Sequence, residues 1–137
     1  MTTPQAITLC ETLYTTAKKI YAPSMNKERL PVLSCIRISQ SEDKLALTRI
    51  GHDDEGSFVP VTEYAAARFD GEFTGTCVPA RAFVDWLAVT SKKQGKVLDD
   101  RILRMDVDHK RELLHIFVGN SHAVFKCISI DEFPVFL

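Results

Sequence analysis

The stretch "LHIFVGNSHAVFKC", residues 114–127, decides how the chain is built. Gly119-Asn120 is a favoured two-residue hairpin turn, and the residues on both sides alternate with period two. With the turn there, Val118 faces Ser121 and Phe117 faces His122. One face then carries Leu114, Ile116, Val118, Ala123, Phe125 and Cys127. The other carries His115, Phe117, His122, Val124 and Lys126. One apolar and one mixed face is the pattern of an antiparallel sheet with one wet side.

Working outward, Leu103, Met105 and Val107 alternate with Arg104 and Asp106, which adds a strand before a "DHKRE" tip. Upstream, "PARAFVDWLAVTSKK" (residues 79–93) reads as a helix. Pro79 suits its first turn, Phe83, Val84, Leu87 and Ala88 form its stripe, and Lys92 and Lys93 close it. An earlier helix is expected over residues 4–21, with Leu9, Leu13, Ala17 and Ile20 on one stripe. Lys18 and Lys19 fall in its last turn, where the helix dipole favours positive charge. Between the helices, residues 35–39 and 45–48 alternate around a "QSEDK" tip and read as a hairpin. "GHDDEG" reads as a loop. Residues 58–64 read as a further strand, with Pro60 placing it at an edge or bulge, and residues 73–78 as a short one.

The order is a helix and about three strands, then the same again, over approximate halves 1–66 and 67–137. Sequence identity between the halves is not visible, so the repeat is one of plan. The expected fold class is α+β: two helices backed by antiparallel sheet segments in a pseudo-repeated helix-plus-strands plan. A chain of 137 residues, 45% apolar and 26% charged, fits one domain with a real core. It has no apolar run of the ~20 residues needed to span a bilayer. Its start lacks the pattern of a signal peptide, so a soluble cytoplasmic protein with no membrane partner is expected.

Chemistry-bearing residues are sparse. Cys10, Cys35, Cys77 and Cys127 form no CxxC pair and read as small buried side chains. His115 and His122 share a sheet face without a third ligand, so a wet face outweighs a metal site. No spacing supports Cys77 and His52 as nucleophile and base. Trp86 lies among core residues on the second helix and reads as packing rather than as a base-stacking platform. No catalytic constellation, metal or cofactor is expected.

The net charge of −1 gives nucleic-acid binding no support, and only a local distribution of charge could steer such a ligand. Residues 16–31 hold Lys18, Lys19, Lys27 and Arg29 against Glu28. Residues 79–96 hold Arg81, Lys92, Lys93 and Lys96 against Asp85. Acidic groups collect elsewhere, in Asp53-Asp54-Glu55, Asp99-Asp100 and Asp131-Glu132. Positive charge is thus placed beside the two helices.

Four segments in order, "LPVLSCIRIS" with "DKLALT", "TCVPARAFVDWL" and "HAVFKCISIDEFPVF", resemble the N-terminal domain of the bacterial DNA polymerase III β subunit, the sliding clamp. The resemblance spans nearly the whole chain. It implies a DNA-clamp fold whose sheets form an outer wall, whose edges join neighbouring domains, and whose helices line a hole holding duplex DNA. It implies a non-catalytic polymerase processivity or accessory factor that binds phosphates without base readout. The implied DNA-binding residues are Lys18, Lys19, Lys27, Arg29, Arg81, Lys92 and Lys93. Lys27 stands where the family commonly has a DNA-contacting Arg, keeping the charge without the fork. The implied partners are duplex DNA, other copies of the chain through strand edges, and replication proteins. Family clamps carry three such domains per chain, and "RIGHDDEGSF" departs from the family's usual Thr-Asp text after "LALT". The alternative is a non-catalytic interaction module that kept the fold and docks through a sheet edge.

Overall fold

The computed structural model describes residues 3–91 and 101–133. Its elements run β1 (Gln5–Leu9), α1 (Cys10–Ile20), β2 (Cys35–Ser41), β3 (Lys44–His52), β4 (Phe58–Ala66) and β5 (Arg68–Asp70). They continue through β6 (Thr76–Pro79), α2 (Ala80–Ser91), β7 (Ile102–Asp108), β8 (Leu113–Val118) and β9 (Ser121–Lys126). Three 3-10 turns, Pro23–Lys27, Pro31–Ser34 and Ile130–Glu132, serve the connections. The strands form two antiparallel sheets, β5-β1-β7-β8-β9 and β4-β3-β2-β6, so the α+β plan holds.

The two sheets are built by exchange. β1, which leads into α1, pairs with β7, the strand after α2; Leu9 lies opposite Ile102. β6, which leads into α2, pairs with β2, the strand after α1; Pro79 lies opposite Cys35. In both cases the residue just before one helix meets the first residue of the strand that follows the other. Each helix is therefore held by strands from both halves. β5 is the extra strand, added beside β1.

Several expected boundaries move. The first helix starts at Cys10, not at residue 4, because residues 5–9 form a strand. Ala6, Ile7 and Thr8 are buried on both sides of that strand, between β5 and β7. A short run buried on two faces carries no period to separate it from a helix stripe. The Cys10 N–H donates to the Arg101 carbonyl at 2.9 Å, which satisfies one of the free N–H groups of the helix start without a capping side chain. Pro79 ends β6 and α2 begins at Ala80. The hairpin tip shrinks to Glu42-Asp43, with Ser41 opposite Lys44 and Glu42 at φ 57°. The strand expected over residues 73–78 is Thr76–Pro79, and the last strand, expected over residues 121–128, ends at Lys126. The register across Gly119-Asn120 is as expected, Val118 opposite Ser121 and Phe117 opposite His122. β4 is an edge strand that accommodates Pro60.

One core joins everything. Ile36, Ile38, Leu45, Leu47, Ala65 and Val78 face it from the four-stranded sheet, and Leu103, Met105, Leu114 and Ile116 from the five-stranded one. α1 adds Leu13, Ala17 and Ile20, and α2 adds Phe83, Val84 and Leu87, with the two helices packed against each other. A second cluster, Leu33, Cys35, Ile50, Cys77 and Phe133, occupies the opposite face of the four-stranded sheet. It exists because the chain after β9 crosses the seam between the sheets. Ile128 and Cys77 exchange backbone hydrogen bonds of 2.9 and 3.2 Å, and Phe133 lands against Arg37, 5.0 Å from its guanidinium.

Candidate nucleic-acid interface

α1 buries Cys10, Leu13, Thr16, Ala17 and Ile20 and turns Lys18 and Lys19 to solvent. The 3.6-residue period makes this choice, since Lys18 and Lys19 fall off the stripe that contacts the sheets. The Lys18 ammonium leans over the Tyr14 ring, 5.8 Å from its centroid. After Ile20 the chain passes directly into the 3-10 turn Pro23–Lys27, anchored by buried Met25. Lys27 and Arg29 are exposed on either side of Glu28. Four of the expected DNA-binding residues therefore sit along one short stretch, from the end of α1 to the entry of β2.

Arg81 lies in the first turn of α2, exposed, with its Nε 3.8 Å from the Asp85 carboxylate one turn later. Such an exposed pair contributes at most a few tenths of a kcal/mol, but it offsets the charge Arg81 could present to phosphate. Lys92 and Lys93, expected as the basic end of the second helix, lie outside the described residues. Trp86 is half-buried with its ring edge-on to Phe125 at 6.2 Å, so it packs α2 onto β9.

All four cysteines are free and buried. Burial pushes the Cys35 thiol up to about 11 and the Cys77 thiol up to about 12, and it raises Cys10 and Cys127 as well. A buried neutral thiol is a poor nucleophile. His115 and His122 stack on the outer face of the five-stranded sheet, with Nδ1 and Nε2 3.1 Å apart and Phe117 stacked on His122. Among the described residues no three His, Cys, Asp or Glu side chains are gathered to hold a metal ion. No helix among them is long and apolar enough to cross a membrane.

One basic residue was not foreseen. β3 places Leu45, Leu47, Arg49 and Gly51 on the face that bears the helices, so an arginine follows two core leucines. Among the described residues its buried Nε has no hydrogen-bond partner, a state that costs about 1–3 kcal/mol. Arg49 lines a cavity of about 290 Å³ together with Ser24, Met25, Glu28, Ile50 and His52. At its rim His52 Nε2 and Glu28 Oε1 are 3.3 Å apart. Extending the alternation of Leu45 and Leu47 by two residues puts Arg49 on the core face, and that was the available signal.

No protein-family model matches the sequence, and none of the curated proteins matches it. Solved structures do. The DNA polymerase sliding clamp of Caulobacter crescentus superposes with a TM-score of 0.76 at 16% identity, over 97% of this chain and 32% of its own. The DNA polymerase III subunit beta of Pseudomonas aeruginosa gives 0.70 at 20% identity, again over 97% and 32%. A sliding clamp from Bartonella birtlesii bound to griselimycin gives 0.76 at 18% over the same shares. The chain thus spans about a third of the length of the proteins it matches. By its fold it is a clamp-like domain, similar to those of bacterial DNA polymerase III beta sliding clamps.

Proposed function

We propose that residues 1–137 form a single clamp-like domain that holds duplex DNA through its phosphates, without sequence preference, as a DNA polymerase processivity or accessory factor. The observation that carries this reading is the placement of the helices. α1 and α2 pack side by side, backed by both sheets through one core, and α1 keeps Lys18 and Lys19 exposed. Contacts from lysine and arginine to phosphate supply affinity and no base discrimination, which suits a protein that must slide. Lys18, Lys19, Lys27, Arg29, Arg81, Lys92 and Lys93 are the proposed contacts, with Arg81 weakened by Asp85.

One domain cannot encircle DNA, so a ring needs further domains or copies, and strand edges are the proposed joints. The test uses light scattering at micromolar concentration and retention on closed circular DNA. A ring is retained on the circle and released on linearisation. With about 2–3 phosphates neutralised per domain, affinity falls with salt at a log–log slope near −2 to −3. A monomer whose affinity does not depend on salt refutes the reading.

A second reading, a non-catalytic docking module for replication proteins or for itself, is favoured by β4. This nine-residue edge strand leaves Phe58 and Tyr64 half exposed, at 50% and 55%. It predicts saturable self-association or peptide binding that Tyr64→Lys removes, in a protein with no DNA affinity.

A further inference from the structure

We propose that the cavity under the Pro23–Lys27 turn is a phosphate-binding site, with Arg49 as its principal ligand. A guanidinium presents a planar fork of N–H donors that matches two phosphate oxygens at once. Arg49 stands where the strand alternation calls for a core residue, and among the described residues it has neither an ion pair nor a side-chain hydrogen bond.

Gly51 shows that the space is shaped around this group. Its backbone is ordinary, so no turn demands glycine there. A Cβ would stand 3.1 Å from Arg49 Nη1 and 3.2 Å from Val61 Cγ2. The missing side chain leaves room for the guanidinium where it stands. Ser24 and Met25 cover the cavity from the 3-10 turn, and Glu28 at the rim is engaged by His52 rather than by Arg49. About 290 Å³ corresponds to roughly ten waters, which admits a phosphate group and its hydration but not a whole nucleotide cofactor. The cavity lies beside the segment that carries Lys27 and Arg29, since Ser24, Met25 and Glu28 line it, and Leu33 and Ile50 of the outer cluster complete its wall.

Phosphate can arrive as a free anion or as part of a DNA backbone, and only the second source rests on the DNA-binding reading. Inorganic phosphate titrated into the isotopically labelled chain should shift the amides of residues 24–28 and 49–52, saturating in the millimolar range. Arg49→Met should abolish those shifts, Arg49→Lys should weaken them, and Gly51→Ala should weaken them with the charge unchanged. In a parallel salt titration with duplex DNA, Arg49→Met should reduce the log–log slope by about one.

Arginine-dependent shifts in a chain that ignores duplex DNA would leave a free-phosphate site standing and sink the DNA reading. Duplex binding with no phosphate shifts and an unchanged slope in Arg49→Met would overturn this site and leave the DNA reading intact. The wild-type titration alone decides the free-anion arm, so a variant that fails to fold does not shelter the proposal.

Discussion

Raising the pH should loosen this protein at the seam between its sheets. Cys35, Cys77 and Cys127 lie together where β6 meets the chain beyond β9. Burial raises Cys35 from 9.0 to about 11 and Cys77 from 9.0 to about 12, with neighbouring thiols pushing the same way. A folded-state pKa above the unfolded value means that the folded chain keeps its proton while the unfolded chain gives it up. The stabilisation is complete below about pH 9 and is lost between pH 9 and pH 11–12. At one unit above 9.0 each thiol has forfeited on the order of 1 kcal/mol, so the two together have lost on the order of 3 kcal/mol by pH 10. By pH 11 the loss reaches about 5 kcal/mol, the lower end of the whole stability of a domain. Urea unfolding in a non-thiol reductant from pH 7.5 to 10.5 reads this directly. Lysines and tyrosines titrate in the same window, so the comparison is with Cys35→Ala/Cys77→Ala. That variant loses packing by a constant amount and should show a shallower fall with pH. Parallel curves for the two proteins would refute the reasoning, because the thiols would then be reaching solvent in the folded chain.

Three further outcomes follow from placement. Gly75 sits at φ 77° with a would-be Cβ 2.0 Å from the Ile38 carbonyl oxygen, where β6 meets β2. Gly75→Ala should cost about 3 kcal/mol or more in urea unfolding, from left-handed strain and a lost pairing. Phe133 is buried against Arg37 and the outer cluster, so Phe133→Ala should cost about 3–5 kcal/mol, and an unchanged midpoint would place that segment off the sheet. Lys18→Glu with Lys19→Glu removes two charges that suit the helix dipole and should cost about 1–2 kcal/mol in thermal unfolding, while sharply weakening duplex binding. A markedly larger loss of stability would make those lysines structural.

The parts of the fold legible in sequence are those with a clean period and one wet face. β7, β8, β9 and the register across Gly119-Asn120 read directly, because alternation there reports a single buried side. β1 did not, since a strand buried on both faces has no alternation and its Leu9 happens to extend the helix stripe. The exchange of β1 and β6 between the halves is a long-range pairing that no local pattern encodes. Periodicity reached the α+β class, and the resemblance to the clamp family carried the DNA-clamp fold that periodicity could not. For the candidate site, the sequence located the exposed basic residues of α1 and the connector after it. It missed Arg49, whose position becomes notable only when the strand is known to continue past Thr48. It also could not show that Arg81 is offset by Asp85.

Low identity beside a close backbone match has a physical reason here. The wall is specified by apolar residues at inner-face positions and by two crossed strand registers, neither of which demands particular side chains. Phosphate binding demands only charge at exposed positions, which carry no packing duty. Stability and DNA affinity should therefore vary independently for Lys27 and Arg29. Arg49 is the exception, a charge on the core face with a buried N–H left unpaired among the described residues. Arg49→Met replaces that guanidinium with an apolar side chain that suits the neighbouring Val61 and Met25. It should raise stability by up to about 1–3 kcal/mol while reducing phosphate affinity and the salt slope. Opposite signs in one variant, from urea unfolding and DNA titration of the same preparation, are what a binding group held against the preference of the fold must give. If stability and affinity fall together, Arg49 is part of the wall, and the cavity is only the space it leaves.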